Sequence, residues 1–174
     1  LSLNAYVLSV NSYENDIKWA SSQGSLNLYF TPYNVSWGLS DSEAQTVFQN
    51  ALDDWDGVTS LDMRGTVTNN GLRNGRNDVV FSDDPNFFSG TGVAGVTVTV
   101  SQDNGALIEA DILINDNHPS PNDETTGFEG DVGDILTHEL GHLIGLDHTQ
   151  VHRATMFYEL NAYQDTLHTD DKAG

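Results

Sequence analysis

The chain reads as an α+β domain, and three observations lead there. Two stretches repeat apolar residues at three-and-four spacing, the period of an amphipathic helix. Several shorter runs are strand-like and are set apart by Gly, Asn and Asp turns. Their order is strand, helix, four strands, helix and a loop-rich tail, which is not a strict strand-helix alternation. At 174 residues the chain can bury a sizeable core. No internal repeat or low-complexity linker divides it, so residues 1–174 are expected to form a single domain.

Residues 1–17 are mixed in character and receive no element. Lys18-Trp19 leads into a first strand at Leu26-Asn-Leu-Tyr-Phe30. Ser40-Asp-Ser-Glu43 is a capping-box signature, with a serine to accept the N3 backbone N–H and a glutamate to reach back. After it Ala44, Val47, Phe48, Ala51, Leu52 and Trp55 share one face of a helix that ends near Gly57 and packs on a sheet. Strands are expected at Leu61–Val67, Asp78–Ser82, Val93–Ser101 and Ala106–Asn115. A second helix runs from about Asp131 to Ile144 and buries Ile135, Leu136, Leu140 and Leu143.

That second helix carries the chemistry, in the string His138-Glu139-Leu-Gly-His142-Leu-Ile-Gly145-Leu-Asp-His148. Residues four apart share a helical face, so His138 and His142 can point ring nitrogens at one metal ion. Glu139 lies beside that face, within reach of a water on the metal. Gly145 can take the positive φ that stops a helix and turn the chain so that His148 completes the set. Three protein ligands leave a fourth position open, the mark of a catalytic rather than a structural zinc. Five specified positions match by chance in roughly one chain in ten thousand, which weighs against a solvated face with incidental histidines.

The string resembles the extended motif of the metzincin zinc endopeptidases, in which a methionine-containing turn follows beneath the metal. Here Ala154-Thr155-Met156-Phe157-Tyr158 follows, with Met156 eight positions after His148. That short gap looks like the matrixin (matrix metalloproteinase) family. Met156 is one of only two methionines; the competing reading, a core methionine filling a gap, is compatible with a turn methionine that packs without ligating. The resemblance covers about residues 18–171 and implies a twisted five-stranded mixed sheet, two main helices and a small lower subdomain holding the methionine turn. It also implies that Leu167-His-Thr-Asp170-Asp171 begins a final helix, truncated at Gly174.

The implied function is a secreted endopeptidase acting on extended polypeptides. One catalytic zinc on His138, His142 and His148 lowers the pKa of water from about 16 toward roughly 7. Glu139 serves as general base and then acid. Gly92-Val93-Ala94-Gly95 resembles the edge strand that borders the matrixin cleft, where Val93 and Ala94 would add a substrate as an extra strand; an ordinary strand start is the competing reading.

Several positions depart from the family pattern. Matrixins usually hold a second, structural zinc, but residues 82–115 contain no histidine, and Gly95 and Asp111 stand where two ligands are expected. One zinc per chain is therefore predicted. Acidic, amide-rich loops (Asp83-Asp84, Asp103-Asn-Gly105, Asn115-Asp-Asn117 and Asn122-Asp-Glu124) suit calcium by their oxygen chemistry, yet none has EF-hand spacing and solvated turns read equally well. Tyr158 and Leu160 stand where matrixins tend to place a proline and a tyrosine that wall the specificity pocket. A tyrosine two after the methionine resembles astacins and serralysins, so Tyr158 is either a zinc or transition-state contact or a pocket-lining aromatic. His118, His152 and His168 lack ligand spacing and read as surface or loop histidines. The loop over residues 119–130 is expected to border the site.

Net charge is −20, with 26 acidic residues against six Lys plus Arg. Self-repulsion on that scale opposes nucleic acid or an anionic membrane as partner and suits a secreted monomer, in salt water or with bound cations. There is no cysteine, so the cysteine-switch latency of many matrixins is absent from these residues. No stretch has the length of a membrane span and no signal peptide opens the chain, which reads as a mature fragment. Two rivals stand beside the peptidase: a catalytically silent binding module, which would be expected to have lost Glu139 or a histidine, and a non-proteolytic zinc hydrolase.

Overall fold

The computed structural model describes residues 7–32, 39–88, 92–118, 128–159, 164 and 166–173. The elements are β1 (Val7–Leu8), β2 (Ser25–Thr31), α1 (Asp41–Asp56), β3 (Asp62–Val67), β4 (Asn77–Ser82), β5 (Gly95–Ser101), β6 (Leu107–Asn115), α2 (Phe128–Leu143) and β7 (Leu146–Asp147), with a 3-10 turn at Asp171–Ala173. This is the expected order, strand, helix, four strands, helix, with two short additions.

Those additions are β1 and β7, which pair antiparallel through Val7 with Asp147 and Leu8 with Leu146. The sequence assigned no element to residues 1–17. Their pairing partner lies more than a hundred residues away, and a two-residue strand has no periodicity of its own to read.

The five-stranded sheet has the order β3-β2-β4-β6-β5. β2 pairs parallel with β3 and β4, and β4 parallel with β6, whereas β5 runs antiparallel to β6 and forms an edge. The sheet is therefore mixed, as expected. Regular pairing of β5 begins at Gly95 opposite Ile114, two residues later than the expected Val93. Asn115 accounts for this: its backbone N–H donates to Ala94 O at 2.8 Å and its side-chain amide to Val93 O at 2.8 Å, so the approach is held by an amide cap.

The capping box forms as predicted: Glu43 N–H donates to Ser40 Oγ at 3.3 Å and Ser40 N–H to Glu43 Oε2 at 2.7 Å. Ala44, Val47, Phe48, Ala51, Leu52 and Trp55 are all buried, so α1 sets its apolar stripe into the core. Phe48 stacks on Phe30 of β2 with ring centroids 4.6 Å apart. Val132, Ile135, Leu136, Leu140 and Leu143 of α2 join the same core cluster. Each fully buried side chain of this size contributes about 1.5–3 kcal/mol relative to exposure, so this core holds α2 in place. Two indole N–H groups pin the helix: Trp55 Nε1 donates to Thr137 O at 2.7 Å and Trp19 Nε1 to Leu143 O at 2.9 Å. No helix among the described residues is long and apolar enough to cross a membrane.

Candidate metal centre

The α2 helix ends where the motif requires. Gly145 has φ +109°, and a Cβ there would run into the backbone carbonyl of Ile17. Only glycine permits both the positive φ and that approach. The turned chain then enters β7, clamped by β1 and by Ser9 N–H donating to Gly145 O at 2.9 Å. His148 follows directly.

The three imidazoles converge. His138 Nε2 and His142 Nε2 lie 3.1 and 3.2 Å from His148 Nε2. The other nitrogens settle which atoms are free. His138 Nδ1 lies 2.7 Å from Thr155 O and His142 Nδ1 lies 2.8 Å from Leu146 O. A carbonyl can only accept, so each Nδ1 carries the hydrogen and each Nε2 presents a lone pair. Burial drives the His138 pKa down to about 3, with the neighbouring His142 adding to the effect. Burial also lowers His142 and His148. Neutral rings with converging lone pairs repel unless a cation lies between them. Two nitrogens about 2.0–2.1 Å from a tetrahedral zinc stand roughly 3.3 Å apart, close to the separations found. The donor set fits zinc. Among the described residues this is also the group of three or more His, Cys or acidic side chains with metal-ligand proximity.

Glu139 is 5% exposed, and burial raises its pKa to about 7 against the opposing hydrogen bond from Thr97. It lines a cleft of about 330 Å³ with Gly92, Val93, Ala94, Gly95, His138 and His148. Val93 is exposed and Ala94 buried. Ile135, Phe157, Tyr158 and Glu159 also line the cleft. Tyr158 is 59% exposed, its ring centroid 4.5 Å from that of Phe157. His118, read as a surface or loop histidine, lies in the loop after β6, where it lines the cleft and burial lowers its pKa. His152 packs against Phe157 and His168 Nδ1 accepts the Asp170 N–H at 3.2 Å; neither joins the metal group.

Met156 is buried beneath the motif helix, its sulfur filling the space a Cβ on Gly141 would take. The turn around it rests on Gln164, which the sequence reading did not name, and on Asp171, which it placed only at the entry to a final helix. Gln164 donates its amide to Thr155 O at 3.1 Å and Phe157 O at 3.0 Å. Asp171 accepts the backbone N–H groups of Thr155 and Met156. A glutamine or aspartate in a polar tail carries no local sign of burial, so the role of neither under the turn could be read.

Gly95 and Asp111, which stand where the family pattern places two ligands of a second zinc, make other contacts here. A Cβ on Gly95 would lie 2.8 Å from Glu139 Oε1, and Asp111 Oδ1 accepts the Asp78 N–H at 2.8 Å. Three of the acidic loops behave as turns: Asp84 Oδ1 accepts Asn86 N–H, Asn104 Oδ1 accepts Ala106 N–H and Asn115 Oδ1 accepts Asn117 N–H. Leu160, residues 122–124 and most of the 119–130 loop lie outside the described residues.

The family model described as Matrixin matches residues 18–174. No curated protein matches the chain.

Proposed function

The chain belongs to the matrixin family of zinc metalloendopeptidases, and on that premise we propose that it is a secreted endopeptidase that cleaves extended polypeptides with Glu139 as its proton carrier. The observation that carries the reading is the convergence of three Nε2 atoms beside Glu139, with His138, Glu139 and His148 lining one cleft. His138, His142 and His148 hold the zinc. Bound there, zinc supplies Lewis acidity toward a carbonyl oxygen and a lowered pKa for water.

The protein's own groups do the rest. Glu139 takes a proton from the attacking water as its oxygen adds to the scissile carbonyl carbon. It returns that proton to the amide nitrogen as the C–N bond breaks, so the amine leaves neutral. Burial favours this role, because it raises the pKa of the Glu139 carboxyl and so strengthens it as a base. The free edge of β5, approached through Val93 and Ala94, offers backbone groups to an extended chain. Tyr158 walls the cleft.

The domain spans residues 1–174 and acts as a monomer with one zinc. Net charge of −20 supports a partner that is neither nucleic acid nor an anionic membrane. Secretion fits the same acidity and the hazard of an unrestrained peptidase inside its own cell. The turn bonding of Asp84, Asn104 and Asn115 supports the reading of those loops as turns; the same oxygen chemistry also suits calcium there.

Casein digestion tests the whole reading. Cleavage should stop with chelator and return with added zinc, and Glu139→Ala should keep its zinc while losing roughly 10²–10⁴-fold in turnover. Persistent cleavage in chelator, or near-normal turnover in Glu139→Ala, would remove the mechanism.

A further inference from the structure

Resting on the reading of Glu139 as proton carrier, we propose that Thr97 is a positioning residue for its carboxyl, anchoring one oxygen so that the other stays at the cleft. Thr97 lies within β5, opposite Ile112 of β6. Residues two apart on a strand share a face, and Gly95 and Thr97 both turn theirs toward α2. The Thr97 hydroxyl lies 2.6 Å from Glu139 Oε2 and 3.0 Å from the backbone carbonyl of the same residue. Where Gly95 would carry a Cβ, Glu139 Oε1 and Cγ stand 2.8 Å away and Ile135 Cγ2 2.9 Å.

The carboxyl is thus held from two sides. Oε2 is tied to a hydroxyl, and Oε1 lies over the bare α-carbon of a residue that lines the cleft. Among the described residues, Thr97 alone hydrogen-bonds this carboxyl. A hydroxyl suits a group that exchanges a proton, since it can donate to an ionised Oε2, or donate to Glu139 O and accept from a protonated Oε2. The heavy atoms keep their places in either case. Thr97 also joins the edge strand to the motif helix, so a substrate seated along β5 meets a carboxyl whose position that strand sets.

Valine has the shape of threonine without the hydroxyl and suits a strand, which makes Thr97→Val the direct test. The zinc-loaded chain is assayed on a quenched-fluorescent peptide chosen from a casein digest. Thr97→Val should lower kcat roughly 10–100-fold, the size expected for losing a hydrogen bond to a charged group. KM should stay within about twofold, zinc content should be unchanged, and Thr97→Ser should recover most of the loss. Placed in Glu139→Gln, the valine should cost less than about twofold of residual activity, because Thr97 acts through that carboxyl. Thr97→Ala makes the same comparison should the valine variant bind zinc poorly. A kcat within about twofold of the parent in Thr97→Val, or no recovery with serine, would overturn the proposal. Those outcomes leave the general-base reading standing if Glu139→Gln has lost roughly 10²-fold or more in turnover; near-parental turnover in Glu139→Gln removes that reading instead.

Discussion

The Asp171 carboxylate accepts the backbone N–H of Met156 at 3.1 Å, across a sequence separation of fifteen. Its other oxygen accepts Thr155 N–H at 2.9 Å and His168 N–H at 2.8 Å. One side chain, 3% exposed, therefore satisfies three backbone donors and fixes the turn whose Thr155 carbonyl orients His138.

Asp171→Ala strands those donors. Even partial loss should cost about 3 kcal/mol, which lowers the unfolding midpoint by roughly 6–12 °C in a chain of this length. Zinc affinity should fall with it, because His138 loses the fixed carbonyl behind its ring. Calorimetry and competition against a chelator read the two effects, and a midpoint within 2 °C or so of the parent contradicts the assignment.

Gly141→Ala places a methyl group on the Met156 sulfur and 3.0 Å from Trp55 Cζ2. Overpacking of this kind costs about 1–3 kcal/mol, outweighing the better helix propensity of alanine. Gly133→Ala, on the same helix, meets only Val47 Cγ1 at 3.4 Å and should be neutral or slightly stabilising. Equal unfolding midpoints for the two variants would refute the steric account.

Metal content separates ligands from neighbours. Dialysed protein should hold one zinc per chain, and replacing His138, His142 or His148 by alanine should abolish it at chelator concentrations the parent tolerates. The same change at His152 or His168 should leave it bound. Two zinc ions in the parent would show that residues outside the trio also ligate.

Tyr158→Phe distinguishes a wall from a reacting group. An exposed ring resting on Phe157 needs only its face to line the cleft, so kcat should stay within about twofold. A drop of tenfold or more at constant KM would place the hydroxyl at the transition state.

Asp111 makes stability depend on pH. Burial is the main reason its pKa rises from 3.8 to about 6, with the charges of Glu109 and Asp78 adding to it and the Asp78 N–H and Arg76 opposing. Between those values the folded chain binds more protons at this site than the unfolded one, so stability falls as pH rises through the window. Above it the penalty is constant; below it the site contributes nothing. Asp111→Asn removes the charge and keeps a carbonyl for Asp78 N–H. Its midpoint should match the parent near pH 4 and exceed it above pH 6, the gap opening in between. A gap independent of pH would mean that ionisation is not its source.

Much of the scaffold was legible because it is written in local periods. The three-and-four spacing of Ala44 to Trp55 and the capping box at Ser40 define α1 without reference to anything distant. His138 and His142 share a face for the same reason, and Gly145 marks the stop. The members of the candidate metal centre, three imidazoles and an adjacent carboxylate, were picked out by spacing alone.

Tertiary structure decided how those groups are held. Trp19 on the helix end, β1 against β7, Thr97 on Glu139 and Asp171 under Met156 are contacts across separations that no short pattern encodes. That the loop position of His118 also lines the cleft follows from packing as well. A helix advertises its own face through 3.6-residue spacing, but which strand, loop or tail meets that face depends on the packing of the whole chain.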